Sequence, residues 1–255
     1  MRTELFKKYR QVYEQAWMPI FGQDDFDTEV LLEGCRLADL QVIEYTLRRP
    51  DADTVIPTLR QRFPETVIVA GSTIDDEKVI HQMKEKFPQL MTIAELAPFV
   101  DGFVSMLPYS DETLEEFSST HLCIPTAQTS GEALRQVGKG ASFIKVLGPD
   151  FAFSKSLHAT PTFGYCPTYI TGGVTRERML EAFAAGNVLC AAGFDVVLKG
   201  EDPETITAER VAELLRSFVV CAKKARAEIN PQLRQLEGLT DEAFLAVLPN
   251  YCSVI

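Results

Sequence analysis

The chain is poor in histidine. It has only His81, His121 and His158, and none of them stands beside a cysteine or an acidic cluster. A zinc site needs several such ligands at short spacing, so no metal is expected. The six cysteines, Cys35, Cys123, Cys166, Cys190, Cys221 and Cys252, are scattered and form no C-x-x-C pair. This spacing argues for reduced thiols in a cytoplasmic protein and against a disulfide framework. No apolar run approaches the length of a membrane span. The stretch Met1 to Lys8 is charged and lacks a signal-peptide core. There is no Lys/Arg run, and the formal net charge is −11, so nucleic acid is not an expected partner. An anionic substrate stays open, because a local pocket can oppose the global field. No G-x-G-x-x-G follows the first apolar run, which removes the main support for a dinucleotide-binding sheet. The last four residues, Cys252-Ser253-Val254-Ile255, match a C-a-a-X box in form only. No polybasic segment precedes them, and the match is read as chance.

What the sequence does hold is alternation. Apolar residues make up 46% of the chain and charged residues 24%, an ordinary balance for a folded globular protein. Eight short apolar runs, at 16–21, 42–47, 67–70, 103–106, 122–124, 143–146, 168–170 and 188–191, read as strands separated by helical patterns. A helix over residues 1–15 precedes them. The longest helical pattern, 207–229, and a short helix at 241–247 follow, as a C-terminal helical extension over 200–255. Such alternation indicates a parallel α/β fold, and eight units favour a closed (β/α)8 barrel, with residues 1–255 as one domain.

In such a barrel the chemistry sits at the carboxyl ends of the strands. Lys145 interrupts the sixth run, Ser142-Phe143-Ile144-Lys145-Val146-Leu147-Gly148-Pro149. A lysine there either snorkels to water or is desolvated, and desolvation frees its amine to attack a carbonyl. On the second run the strand period puts Glu44, Thr46 and Arg48 on one face. Either Glu44 and Arg48 form a structural ion pair, or they serve a site. Ser72 and Thr73 close the third run, and each can cap a helix or bind a carboxylate. The turns Thr171-Gly172-Gly173 and Gly193-Phe194 end the seventh and eighth runs, where barrels of this class bind phosphate through backbone N–H groups.

These segments together resemble the bacterial 2-keto-3-deoxy-6-phosphogluconate (KDPG) aldolases, a family that includes 4-hydroxy-2-oxoglutarate aldolases. The resemblance rests on Val42 to Arg48 (VIEYTLR), Val67 to Ile74 (VIVAGSTI), Cys123 to Leu134 (CIPTAQTSGEAL), Ser142 to Pro149, Tyr169 to Val174 (YITGGV) and Val188 to Gly193 (VLCAAG), in family order. It implies a cofactor-free, metal-free class I aldolase on a TIM barrel, usually a cytoplasmic homotrimer. The substrate implied is a 2-keto-3-deoxy or 4-hydroxy-2-keto acid, with or without a 6-phosphate, cleaved to pyruvate and an aldehyde. By position, the resemblance makes Lys145 the Schiff-base residue and Glu44 the acid/base. It makes Arg48 and Ser72 the carboxylate site. Thr171, Gly172, Gly173, Gly193 and Phe194 fall at the distal, phosphate-binding end.

The chain departs from the pattern there. Phe194 stands where the family often has a serine that contacts phosphate, and Gly22 where many members have an arginine. Val146-Leu147-Gly148 replaces the aromatic residues and proline that often follow the lysine. The expectation is conserved aldol chemistry with an altered distal group. The rival readings are a phosphate-binding barrel isomerase or synthase, and a barrel that has lost catalysis and serves binding.

Overall fold

The computed structural model describes residues 3–160 and 165–254. Part of the segment expected as a loop with a weak helix, 151–163, lies outside the described residues. Eight parallel strands form the centre: β1 (Trp17–Phe21), β2 (Val42–Thr46), β3 (Val67–Thr73), β4 (Gly102–Ser105), β5 (Leu122–Ile124), β6 (Ile144–Leu147), β7 (Thr168–Thr171) and β8 (Leu189–Gly193). They hydrogen-bond in the order β5-β4-β3-β2-β1-β8-β7-β6. The ends of that order meet as well. Ser142 N donates to Cys123 O at 2.8 Å, Lys145 N to Pro125 O at 2.8 Å, and Ala127 N to Lys145 O at 3.1 Å. The sheet is therefore a closed (β/α)8 barrel, and Lys145 sits on its closing seam.

Among the described residues twelve α-helices accompany the strands: α1 (Thr3–Gln15), α2 (Thr28–Leu37), α3 (Ala52–Arg62), α4 (Glu77–Lys84), α5 (Ile93–Leu96), α6 (Asp111–Phe117), α7 (Ser130–Gly138), α8 (Ala152–His158), α9 (Met179–Ala184), α10 (Phe194–Val197), α11 (Ala208–Ile229) and α12 (Asp241–Val247). Several start where side-chain caps dictate. Asp27 accepts from Val30 N, Asp76 from Lys78 N and Val79 N, and Thr129 with Glu132 forms a capping box before α7. The short helices α5 and α10 are too brief to show a period, and the sequence pattern does not reveal them.

The strands alternate cleanly between two cores. Residues such as Ile43, Tyr45, Ile68, Phe103 and Ile144 point outward into a core shared with the helices. Their neighbours Val42, Val69, Ile124, Phe143 and Tyr169 point inward. The inner core continues below the barrel into Phe6, Tyr9 and Tyr13 of α1 and Phe244 of α12. Phe143 stacks on Tyr9 with centroids 4.7 Å apart, a contact worth about 1 kcal/mol beyond its buried area. The C-terminal tail closes this end too, with Cys252 and Val254 buried and Ser253 Oγ donating to Ala141 O at 2.8 Å.

The C-terminal helical extension contains the 22-residue helix α11. It packs between α2 and α9 and completes the outer ring, with Phe218 tilted against Trp17 at 5.1 Å. Its Arg226, fully buried, donates to the carbonyls of Tyr13 and Val188, and so ties α11 to the barrel floor. Both carbonyls accept from Nη1, and the guanidinium also lies over the Tyr13 ring, 5.0 Å from its centroid, contacts that offset part of the cost of burying the charge. The chain after α11 plugs the bottom, opposite the carboxyl ends of the strands.

Candidate active site

Lys145 lies inside the barrel with 4% of its surface exposed. Its backbone N–H and C=O are both held by Pro125 and Ala127, just after β5, so the side chain leaves a fixed base. Burial lowers its pKa below the ordinary lysine range. The Glu44 carboxylate opposes that shift and the Arg48 guanidinium adds to it. Among the described residues, the one polar contact of Nζ is with Met106 Sδ, at 3.5 Å. An ammonium so placed is under-solvated, whereas a neutral amine is not, and the geometry therefore favours the nucleophilic form.

Glu44 is buried on β2. Its partner is not Arg48. Tyr169, which pairs directly with Lys145 across β6 and β7, donates its phenolic hydroxyl to Glu44 Oε2 at 2.6 Å. Gly71, aligned with Thr46 on the adjacent strand, makes room for that carboxylate. A Cβ on Gly71 would collide with Glu44 Oε1. Burial and the Glu44 charge push the Tyr169 hydroxyl well above its usual pKa, so it remains a donor. Neither Tyr169 nor Gly71 was singled out by the sequence. The signal was available only for Tyr169, as a polar-tipped residue on the inward register of β7.

Arg48 does not continue the strand. β2 ends at Thr46, and Arg49 N turns back onto Thr46 O at 3.2 Å. Thr46 itself is satisfied by donating to Phe21 O at 2.8 Å. Arg48 is exposed at the barrel mouth and has no hydrogen bond or ion pair with any described residue. The ion pair with Glu44 that the strand period allows is thus not formed. The buried arginine is its neighbour, Arg49, which pairs with Asp24 at 3.0 Å and takes Thr28 Oγ1 at 2.7 Å. Arg49 ties the loop after β1 to the loop after β2. Asp24 is nonetheless raised in pKa, by burial first, with Arg49 opposing and Asp195 adding to the rise.

Ser72 sits in a bulge of β3 with φ of 61°, in the left-handed region that a serine adopts at a cost of about 1–3 kcal/mol. It shares a chamber with Arg48 and Met106. The other hydroxyl, Thr73, is spent on Val104 O and Tyr109 Oη, at 3.0 and 2.6 Å. Neither residue caps α4; Asp76 does.

The distal end is arranged differently from the sequence expectation. Thr171 is buried at the inward end of β7. Gly172 and Gly173 follow with φ of 89° and 71°, conformations open to glycine, and their turn lies beside Gly148 and Pro149 at the exit of β6. Phe194 is a correction. Its side chain is fully buried in the outer core, edge-on to Phe21 at 4.8 Å, and does not face the barrel mouth. The side chain that covers Gly193 is Asp195, whose Oδ1 occupies the space a Cβ there would need. A carboxylate at this position repels a phosphate.

Among the described residues no cluster of three or more His, Cys, Asp or Glu side chains is placed to hold a metal ion. No helix among them is long and apolar enough to cross a membrane.

No family model matches the sequence, and no curated protein matches it. Solved structures do match its fold. A KDPG aldolase from Legionella pneumophila, with pyruvate captured as a covalent carbinolamine, superposes with a TM-score of 0.59 at 19% identity, over 82% of this chain and 97% of that one. The 2-keto-3-deoxy-6-phosphogluconate aldolase of Zymomonas mobilis superposes with a TM-score of 0.60 at 17% identity, over 84% and 95%. The thiamine phosphate pyrophosphorylase of Pyrococcus furiosus gives 0.55 at 14%, over 82% and 98%. The chain thus has the fold of the KDPG aldolases, a fold that the pyrophosphorylase shares.

Proposed function

We propose that this protein is a class I aldolase that cleaves a 4-hydroxy-2-keto acid to pyruvate and an aldehyde. The observation that carries the reading is Lys145, a lysine buried in the barrel beside an inward carboxylate, with its pKa lowered by burial. The fold shared with KDPG aldolases supports it.

The reaction runs as follows. The neutral Lys145 amine adds to the C2 ketone, and the carbinolamine loses water to an iminium. Arg48 and Ser72 hold the 2-keto acid's carboxylate at the mouth, the arginine by two parallel N–H bonds. Glu44 takes the proton of the C4 hydroxyl. The C3–C4 bond breaks, its electron pair flows into the iminium, and the aldehyde leaves. The resulting enamine is protonated at C3, and water hydrolyses the iminium to pyruvate and free Lys145. Tyr169 is a positioning residue: it holds Glu44 Oε2 and so fixes the direction of the other oxygen. A cytoplasmic homotrimer goes with this reading, by kinship with the aldolases.

The test is borohydride reduction in the presence of pyruvate, followed by peptide mass spectrometry. A reduced pyruvate adduct on Lys145 is the expected product. An unmodified Lys145 would return the chain to the rival readings, a synthase-type barrel or a binding protein.

A further inference from the structure

We propose that the chamber beside Arg48 is the specificity pocket of this enzyme, and that it takes an apolar distal group, an alkyl or aromatic chain carried by the 2-keto acid, in place of a phosphorylated one. This rests on the reading of Lys145 as the Schiff-base residue.

The chamber has a volume of about 640 Å³, within the range of roughly 300–1,000 Å³ usual for small-molecule sites. It lies above β2, β3 and β4, and Leu47, Ile74, Met83, Phe87 and Leu107 wall it. Phe87, Met106 and Leu107 are 40, 43 and 56% exposed, so three large apolar side chains meet water together around this chamber. Such a cluster costs free energy until something apolar covers it. Arg48 is the one charged residue of the lining, and it is unpaired. One cation at the rim of an apolar chamber fits an amphipathic anion: a carboxylate head at Arg48 and an apolar body against the walls.

The chamber connects with the chemistry. Met106 belongs to its wall, and the same side chain's Sδ touches Lys145 Nζ at 3.5 Å. A substrate held at Nζ can therefore pass over Met106 into the chamber. The opposite side of the mouth is unfit for a phosphate. Asp195 covers Gly193, and its charge is felt at Asp24, whose arginine is already engaged. A phosphate in the chamber fares no better, because its single cation is needed by the substrate carboxylate.

The experiment compares three cleavage substrates by kcat/KM: 4-hydroxy-2-oxo-4-phenylbutanoate, 4-hydroxy-2-oxoglutarate and 2-keto-3-deoxy-6-phosphogluconate. The phenyl compound is expected to lead by at least about tenfold. Ile74→Trp, which fills the chamber, and Leu107→Asp, which charges it, are expected to remove that lead while pyruvate trapping on Lys145 continues. A lead for the phosphorylated acid, or a phenyl preference that survives both variants, overturns the proposal. If pyruvate is not trapped at all, the Schiff-base reading fails by itself. The chamber is then tested by calorimetry with 4-phenylbutanoate. Saturable binding that Leu107→Asp abolishes supports it, and no binding overturns it. A Leu107→Asp protein that changes its mass in sedimentation yet binds the ligand as before would assign this face to a contact between copies, against the proposal.

Discussion

Tyr169 and Glu44 meet inside the barrel, from strands β7 and β2, through a 2.6 Å hydrogen bond in which the phenol donates. Both side chains are buried, so the bond is strong and its loss leaves a carboxylate oxygen without a partner. Tyr169→Phe is expected to lower kcat by about one to two orders of magnitude and to leave KM and borohydride trapping nearly unchanged. It should also cost about 1–3 kcal/mol of stability in denaturant titration. A rise in KM with kcat unchanged would place Tyr169 in binding and not in positioning.

Gly71 is the other support of Glu44. A methyl at this position meets the carboxylate and the Thr46 methyl group at once. Gly71→Ala is expected to displace Glu44 and to cut kcat at least about tenfold, with a stability loss of about 1–3 kcal/mol. A fully active Gly71→Ala enzyme would show that Glu44 need not hold its place.

Lys145 links activity to pH and to stability. Its folded-state pKa lies below the unfolded value of about 10.5, with burial the first cause. Below the folded value both states carry the proton, and the full desolvation penalty opposes folding. Between the two values the native state binds fewer protons than the unfolded one, so stability rises with pH. Above the unfolded value the penalty is gone. Lys145→Met removes the group and is expected to abolish trapping. The variant should melt above the parent at neutral pH, and the gap should narrow as pH approaches 10.5. Calorimetric melts across that range check it; a gap that ignores pH would trace the difference to packing.

Arg48 is exposed and unpaired, so its replacement should spare the fold. Arg48→Ala is expected to raise KM for a 2-keto acid by about tenfold to a hundredfold, the worth of a charge-assisted bond of about 1.5–3 kcal/mol. Arg48→Lys should recover only part of it, because an ammonium cannot match both carboxylate oxygens. Steady-state kinetics and thermal melts together separate this from misfolding.

Asp195 gives the distal end its sign. Asp195→Ser removes the carboxylate over Gly193 and should raise kcat/KM for a 6-phosphorylated substrate by about tenfold or more, as expected for loss of a nearby like charge. The gain should shrink at high salt. No gain in a folded Asp195→Ser protein would show that Asp195 does not govern this end.

The sequence by itself determined the barrel. Eight apolar runs at barrel spacing, with capping residues such as Asp27 and Asp76 between them, leave few other ways to bury both faces of the strands. It also drew attention to Lys145 and Glu44 as charges interrupting apolar runs, with a structural role open for each. What it could not determine depends on neighbours far apart in the chain. Strand period carried Arg48 onto the face of Glu44, but β2 stops at Thr46 and the turn sends Arg48 to the mouth. The partner of Glu44 comes instead from Tyr169, 125 residues away, through a register that no local pattern encodes. Phe194 was placed at the mouth by its position, and burial against Phe21 drew it to the outer core, leaving Asp195 over Gly193. Only tertiary packing decides which of two adjacent residues faces a site, since neighbours in a turn or at a helix start point in different directions.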